Sequence, residues 1–139
     1  MSCEGGAPGG APLSPFTRRG ALTVVVADDS PLYRQTLVRA VRAQPELHLI
    51  AAVETGEAAI AAVEALAPDV LLVDQRMPGL DGVGVLERLA GHELVKVLVS
   101  ASLDADVERD ARAAGASACL PKALSCGEIC AAALALAQR

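Results

Sequence analysis

From residue 21 onward the chain alternates between short apolar runs and longer stretches of helical period. Residues 22–27 are apolar apart from Thr23, and Asp28 and Asp29 end the run. Such a run predicts a strand buried on both faces. Ser30-Pro31 reads as a helix start, with Ser30 as cap and Pro31 in the first helical position. Tyr33, Leu37 and Val41 then recur at four-residue spacing and form one apolar face, while Arg34, Arg39 and Arg42 take the other side. A second strand is predicted over 47–53. Thr55 caps a second helix, with Ile60 and Val63 on one side and Glu57 and Glu64 elsewhere, until Ala67-Pro68-Asp69 breaks it. Residues 70–73 form a third strand ending on Asp74. Beyond Pro78-Gly79, Asp81 caps a third helix over 83–90. A fourth strand over 95–99 ends on Ser100. A charged helix over 104–114 stops at Gly115. A short strand over 118–120 leads into Pro121 and Lys122, and Ser125 with Glu128 forms the capping box of a last helix reaching about residue 137.

Apolar strands that alternate with helices specify a parallel sheet covered on both faces. Right-handed crossovers and this chain length favour a flavodoxin-like (βα)5 doubly wound sheet, strand order 2-1-3-4-5. Residues 1–20 hold five of the twelve Gly and three of the eight Pro and show no period. They read as a disordered tail before one domain over 21–139. The composition, 53% apolar and 21% charged, is that of a folded chain. Phe16 and Tyr33 are its two aromatics, too few for a platform on which bases stack, and a net charge of −5 argues against nucleic-acid binding. The longest apolar run, 129–137, is far short of the ~20 residues that cross a bilayer. With no signal-peptide pattern at the N-terminus, the expected setting is the cytoplasm, away from membranes, with the four cysteines as free thiols. Cys126 and Cys130 have ligand spacing on a helix, but His48 and His92 are distant, so a metal site there is not expected.

Ligands of a doubly wound sheet bind outside the carboxyl ends of its strands. That rule brings Asp28 and Asp29, Asp74, Ser100 and Lys122 to one rim, each from a different strand end. Taken singly, an Asp after a strand is usually a turn residue, Ser100 a loop hydroxyl and Lys122 a solvated charge; their conjunction carries the reading. Three converging carboxylates repel one another unless a cation joins them, and oxygen ligands suit Mg²⁺. With an ammonium and a hydroxyl beside it, such a site can hold a phosphoryl group, and Asp74 is the natural nucleophile. Asp69 reads as a turn residue after Pro68.

At these residues the sequence resembles the receiver domain of two-component response regulators. The resemblance rests on residues 24–30 (VVVADDS), 68–82 (PDVLLVDQRMPGLDG), 97–101 (VLVSA) and 115–122 (GASACLPK), and it spans about residues 21–137. The stretch near Lys122 is most similar to receivers of the NarL/LuxR type. The resemblance implies that Asp74 accepts a phosphoryl group from a sensor histidine kinase. It implies that Asp29 and Asp74 ligate Mg²⁺, with Asp28 assisting through water and the Arg76 backbone carbonyl supplying a further ligand. Lys122 would pair with the phosphoryl oxygens, and Ser100 would move toward them, remodelling the surface of the fourth helix, fifth strand and fifth helix. The small Ala101 would leave access to the site. The chain departs from the family at Cys119, where an aromatic switch residue is usual, and at Ala123, where Pro is frequent.

The resulting expectation is a signalling domain that catalyses only its own phosphorylation and dephosphorylation. The alternatives are a receiver-like module that works without phosphate, and the receiver portion of a longer LuxR-type transcription factor. A haloacid-dehalogenase-type phosphatase would need a second Asp where Arg76 stands. A flavodoxin would need a hydroxyl-rich phosphate loop where Asp28 and Asp29 stand. In the last helix, Ile129, Ala133 and Leu136 are expected on the sheet. Cys126, Cys130 and Leu134 are then expected outside, as the interface of a homodimer or a partner.

Overall fold

The structure, a computed structural model, describes residues 20–138. Five strands alternate with five helices: β1 (Leu22–Ala27), α1 (Pro31–Arg42), β2 (Leu47–Val53), α2 (Gly56–Leu66), β3 (Val70–Asp74), α3 (Gly82–Arg88), β4 (Val95–Ser100), α4 (Ala105–Ala113), β5 (Ala118–Pro121) and α5 (Cys126–Ala137). The strands form one parallel sheet in the order β2-β1-β3-β4-β5. This is the expected flavodoxin-like fold, with element ends shifted by a residue or two. Apart from Gly20, the expected tail lies outside the described residues. No helix among the described residues is long and apolar enough to cross a membrane.

Each helix starts on a local signal. Ser30, Thr55, Asp81, Asp104 and Ser125 each accept a hydrogen bond from the backbone N–H three residues on. These bonds satisfy donors that a helix N-terminus leaves unpaired. Asp69 does more than turn the chain: its carboxylate accepts from the N–H and the hydroxyl of Thr23, at 2.8 and 3.1 Å, and so ties the start of β3 to β1.

Alternation along the strands divides the core in two. Val25, Ala27, Leu71, Val73, Leu98 and Cys119 face α2, α3 and α4. Val24, Val26, Val70, Leu72, Val97 and Val99 face α1 and α5. The three central strands are apolar on both sides because both sides are covered. A polar side chain on such a strand must therefore find a partner inside. Lys96, buried in β4, donates to the Leu89 carbonyl at 3.0 Å.

The last helix corrects an expectation. Cys130 is fully buried, beside Ile129 and Ala133, and Cys126 and Leu134 are half-buried against the same core. The helix packs on α1 as well as on the sheet, so two neighbours cover a wider arc than a single apolar stripe. Its exposed positions include Gly127, Glu128, Ala131 and Ala135. Cys130 is therefore not on the outer face expected from Cys126, Cys130 and Leu134, the other two are only partly exposed, and the homodimer argued from that face loses its main support. Cys119, Cys126 and Cys130 are free thiols. Burial, with the nearby Cys126, pushes the Cys130 thiol up to about 11.

Candidate functional site

Parallel strands end together, so the residues that follow β1, β3, β4 and β5 meet at one edge of the sheet. Asp28 leaves β1 and is buried, whereas Asp29 beside it is exposed on the rim. The Ser30 N–H holds one oxygen of Asp28 at 2.8 Å. Arg34 reaches back from α1 to donate to the Asp28 carbonyl at 2.7 Å, and its other side meets Glu54 at 3.7 Å. Asp74 closes β3, also buried. Carboxylate oxygens of Asp28, Asp29 and Asp74 all lie within 4.8 Å of one another. Lys122 enters from beyond β5, its Nζ 2.9 Å from Asp28 and 3.3 Å from Asp74. The ring of Tyr33, one turn into α1, lies beneath that ammonium, 4.3 Å from centroid to Nζ.

Charge explains the arrangement. Burial and the charge of Asp28 both raise the Asp74 pKa above the ordinary carboxylate value, against the opposing pull of Lys122 and the Arg76 N–H that Asp74 accepts. Burial disfavours the Lys122 charge, but hydrogen bonds and charge from Asp28 and Asp74 outweigh it and raise the Lys122 pKa. One ammonium thus faces three carboxylates, a site short of positive charge. Three clustered carboxylates at a solvent-facing rim are the donor set of a hard divalent cation such as Mg²⁺.

The loop after β3 is tied down on two sides. Gln75 donates through Nε2 to Asp81 at 3.2 Å and accepts through Oε1 from the Val83 N–H at 2.9 Å. A Cβ on Gly82 would stand 2.6 Å from the Asp74 carbonyl oxygen and 2.6 Å from Leu98 Cδ1, so glycine lets α3 begin against the site. Ser100 is buried at the end of β4; its hydroxyl accepts from the Ser102 N–H at 3.1 Å. Its carbonyl accepts from the Lys122 N–H at 2.9 Å, which links the β4 and β5 ends. Arg76 is exposed at the rim. Cys119 is buried on the α4 side of β5.

All five residues expected at the strand ends therefore come together. Sequence reasoning missed three others. Tyr33 reads as part of an apolar stripe and Arg34 as part of the opposite side of the same helix. Gln75 carries no motif of its own. The available signal for the first two was their place: one helical turn beyond an acid pair, a side chain reaches back over the strand end.

The family model for the response regulator receiver domain matches residues 24–134. The chain belongs to the response-regulator receiver family. Receivers of this family are signalling domains, and phosphorylation and Mg²⁺ binding at an acidic pocket are general to them. The chain is 35% identical over 115 residues to a protein-glutamate methylesterase/protein-glutamine glutaminase of Nitrobacter winogradskyi, covering 80% of this chain and 27% of that protein. It is 39% identical over 82 residues to a probable transcriptional regulatory protein NarL of Mycobacterium tuberculosis, covering 58% of this chain and 38% of the relative. Against the solved receiver domain of the putative response regulator NarL from Mycobacterium tuberculosis, the TM-score is 0.82 at 34% identity, covering 86% of this chain and 98% of that one. The chain spans about a third of the length of the curated relatives it matches.

Proposed function

We propose that this receiver takes a phosphoryl group onto Asp74 from a phosphohistidine of a sensor kinase. The observation that carries the reading is the single ammonium of Lys122 shared between Asp28 and Asp74, with Asp29 completing the acidic cluster. An oxygen of Asp74 attacks phosphorus, the phosphorus–nitrogen bond breaks, and the imidazole leaves once it has taken up a proton. Lys122 transfers its contact from Asp74 to a phosphoryl oxygen, while Asp28 keeps the ammonium on the site. Asp28, Asp29, Asp74 and the Arg76 carbonyl would hold Mg²⁺, which supplies charge neutralisation between the carboxylates and the incoming group. Positioning and charge account for the rest, because phosphoryl transfer asks little more of the protein.

The output follows from Ser100. Its hydroxyl leaves the Ser102 N–H for a phosphoryl oxygen, and its backbone pulls on Lys122 through the link at 2.9 Å. A shift at β4 then reaches the surface made by α4, β5 and α5, the face this receiver presents to an output domain or partner. With Cys119 at the usual aromatic position, that shift proceeds without an aromatic rotamer change at β5. The methylesterase and NarL relatives join such receivers to longer proteins, and a joined output domain is the corresponding reading for residues 21–139 as a domain.

Intact-mass spectrometry after incubation with acetyl phosphate and Mg²⁺ tests the proposal. The parent chain gains one phosphoryl group, and Asp74→Asn gains none. Equal labelling of both proteins, or no labelling of the parent together with no binding of beryllofluoride, would remove the proposal.

A further inference from the structure

The Tyr33 side chain is half-buried against the core that α1 and α5 cover, but neither that packing nor the motif residues call for an aromatic ring there. Its hydroxyl is buried beside the Cys126 thiol at the start of α5 and has no well-formed hydrogen bond. What the tyrosine adds is the face of its ring, and that face is turned to Lys122. An ammonium carries three N–H donors. Two are taken by Asp28 at 2.9 Å and Asp74 at 3.3 Å, and the ring closes the third side at 4.3 Å. The Lys122 side chain is only 17% exposed, so little water competes there.

We infer that Tyr33 is a positioning residue for phosphoryl transfer: its ring holds the Lys122 ammonium over the site by a cation–π contact from α1. This inference rests on the phosphoryl-transfer reading and adds a group to it. The contact is compatible with both partners of Lys122. When a phosphoryl oxygen replaces Asp74, the ring still blocks the side facing α1 and α5, and the ammonium has nowhere else to turn. The helix that follows the acid pair thus also steers the lysine that arrives from beyond β5. Tyr33 is the one tyrosine of a chain without tryptophan. No other aromatic side chain among the described residues could supply this face.

The test uses the full chain, with Tyr33→Phe and Tyr33→Leu beside the parent. The first readout is the rate of phosphorylation by acetyl phosphate across a Mg²⁺ series. Tyr33→Leu is expected to slow the rate about fivefold, the size of a cation–π contact at a part-buried site. The half-saturating Mg²⁺ concentration stays within about twofold, because the carboxylates are untouched. Tyr33→Phe, which keeps the ring, restores the parent rate to within about twofold.

The second readout is the NMR signal of the lysine ε-methylene groups in the unphosphorylated proteins. The chain has two lysines, and Lys122→Met assigns them. The Lys122 signal is expected upfield, under the ring current, in the parent and in Tyr33→Phe, and to move downfield in Tyr33→Leu. The buried Lys96 signal stays in place, which a general loosening of the fold would not allow. An unshifted Lys122 signal in the parent, or a Tyr33→Leu rate equal to the parent's, overturns the inference and leaves the phosphoryl-transfer reading standing. A parent that takes no phosphoryl group overturns that reading and the role of Tyr33 in it together, whatever the NMR signals show.

Discussion

A buried lysine on the floor of the sheet shows what a single side chain costs this fold. Lys96 is 5% exposed, and its ammonium meets the Leu89 carbonyl but no carboxylate among the described residues. Burial lowers its pKa below the ordinary lysine value. The folded chain therefore gives up that proton at lower pH than the unfolded chain does. Across the window from the lowered pKa up to the ordinary 10.5, the unfolded state holds more protons, so this group makes stability rise with pH. Below the window the charged form is a standing cost. Lys96→Met removes the charge at similar volume, and the Leu89 carbonyl keeps its bond from the His92 N–H at 2.9 Å. The expected result is a protein between neutral and about 2 kcal/mol more stable in urea at pH 7, with the alkaline rise in stability reduced. A loss above about 1 kcal/mol would mean that the ammonium contributes more than its hydrogen bond. Lys96 was not legible as a buried charge, because one polar residue in an apolar strand could equally have faced an edge. Asp28, Asp29 and Asp74 were legible, because each ends a strand in a fold that gathers strand ends.

Helix boundaries show how local signals and close approach divide the work. Four caps are written in the sequence as Ser, Thr or Asp before a helical period, and all four hold, while Asp104, expected inside its charged helix, is a fifth cap. Ala67 is different: it ends α2 in the left-handed region, φ 46°, where an alanine is strained. Ala67→Gly is expected to stabilise the protein by about 0.5–1 kcal/mol in thermal or urea melts, since strain relief outweighs the added freedom of the unfolded chain. The α3 start runs the opposite way. Gly82→Ala would drive a methyl into the Asp74 carbonyl, the Gln75 backbone and Leu98, and backbone atoms cannot step aside as a side-chain tip can. A destabilisation of about 1–3 kcal/mol is expected, with weaker Mg²⁺ binding in a calorimetric titration because Asp74 itself is displaced. The width of the covered arc on α5 was the failure at this scale. A stripe at helical period cannot say how many neighbours a helix has, and contact with both α1 and the sheet is what buried Cys130.

For the molecule as a whole, the acidic rim couples stability to divalent cations. A ligand that binds the folded state alone stabilises it by mass action, about 2.7 kcal/mol at a hundred times its Kd. Adding Mg²⁺ to that level is expected to raise the melting midpoint by several degrees, and a chelator to reverse the rise. Asp74→Asn is expected to melt higher than the parent without metal, because it removes a carboxylate whose charge the site disfavours, and to gain less from Mg²⁺. Equal Mg²⁺ responses in the two proteins would place the cation elsewhere. The sequence by itself determined the order of elements, the parallel sheet with helices on both faces, and the four strand ends that meet. These follow from period, caps and a topology with few permitted solutions. Only the tertiary structure decided which side chains close over the site. Tyr33 and Lys122 stand far apart in the chain, as do Thr23 and Asp69, and no local period encodes their meeting. Contact between distant segments depends on how helices pack across strands, and that packing is fixed by the shapes of the whole core.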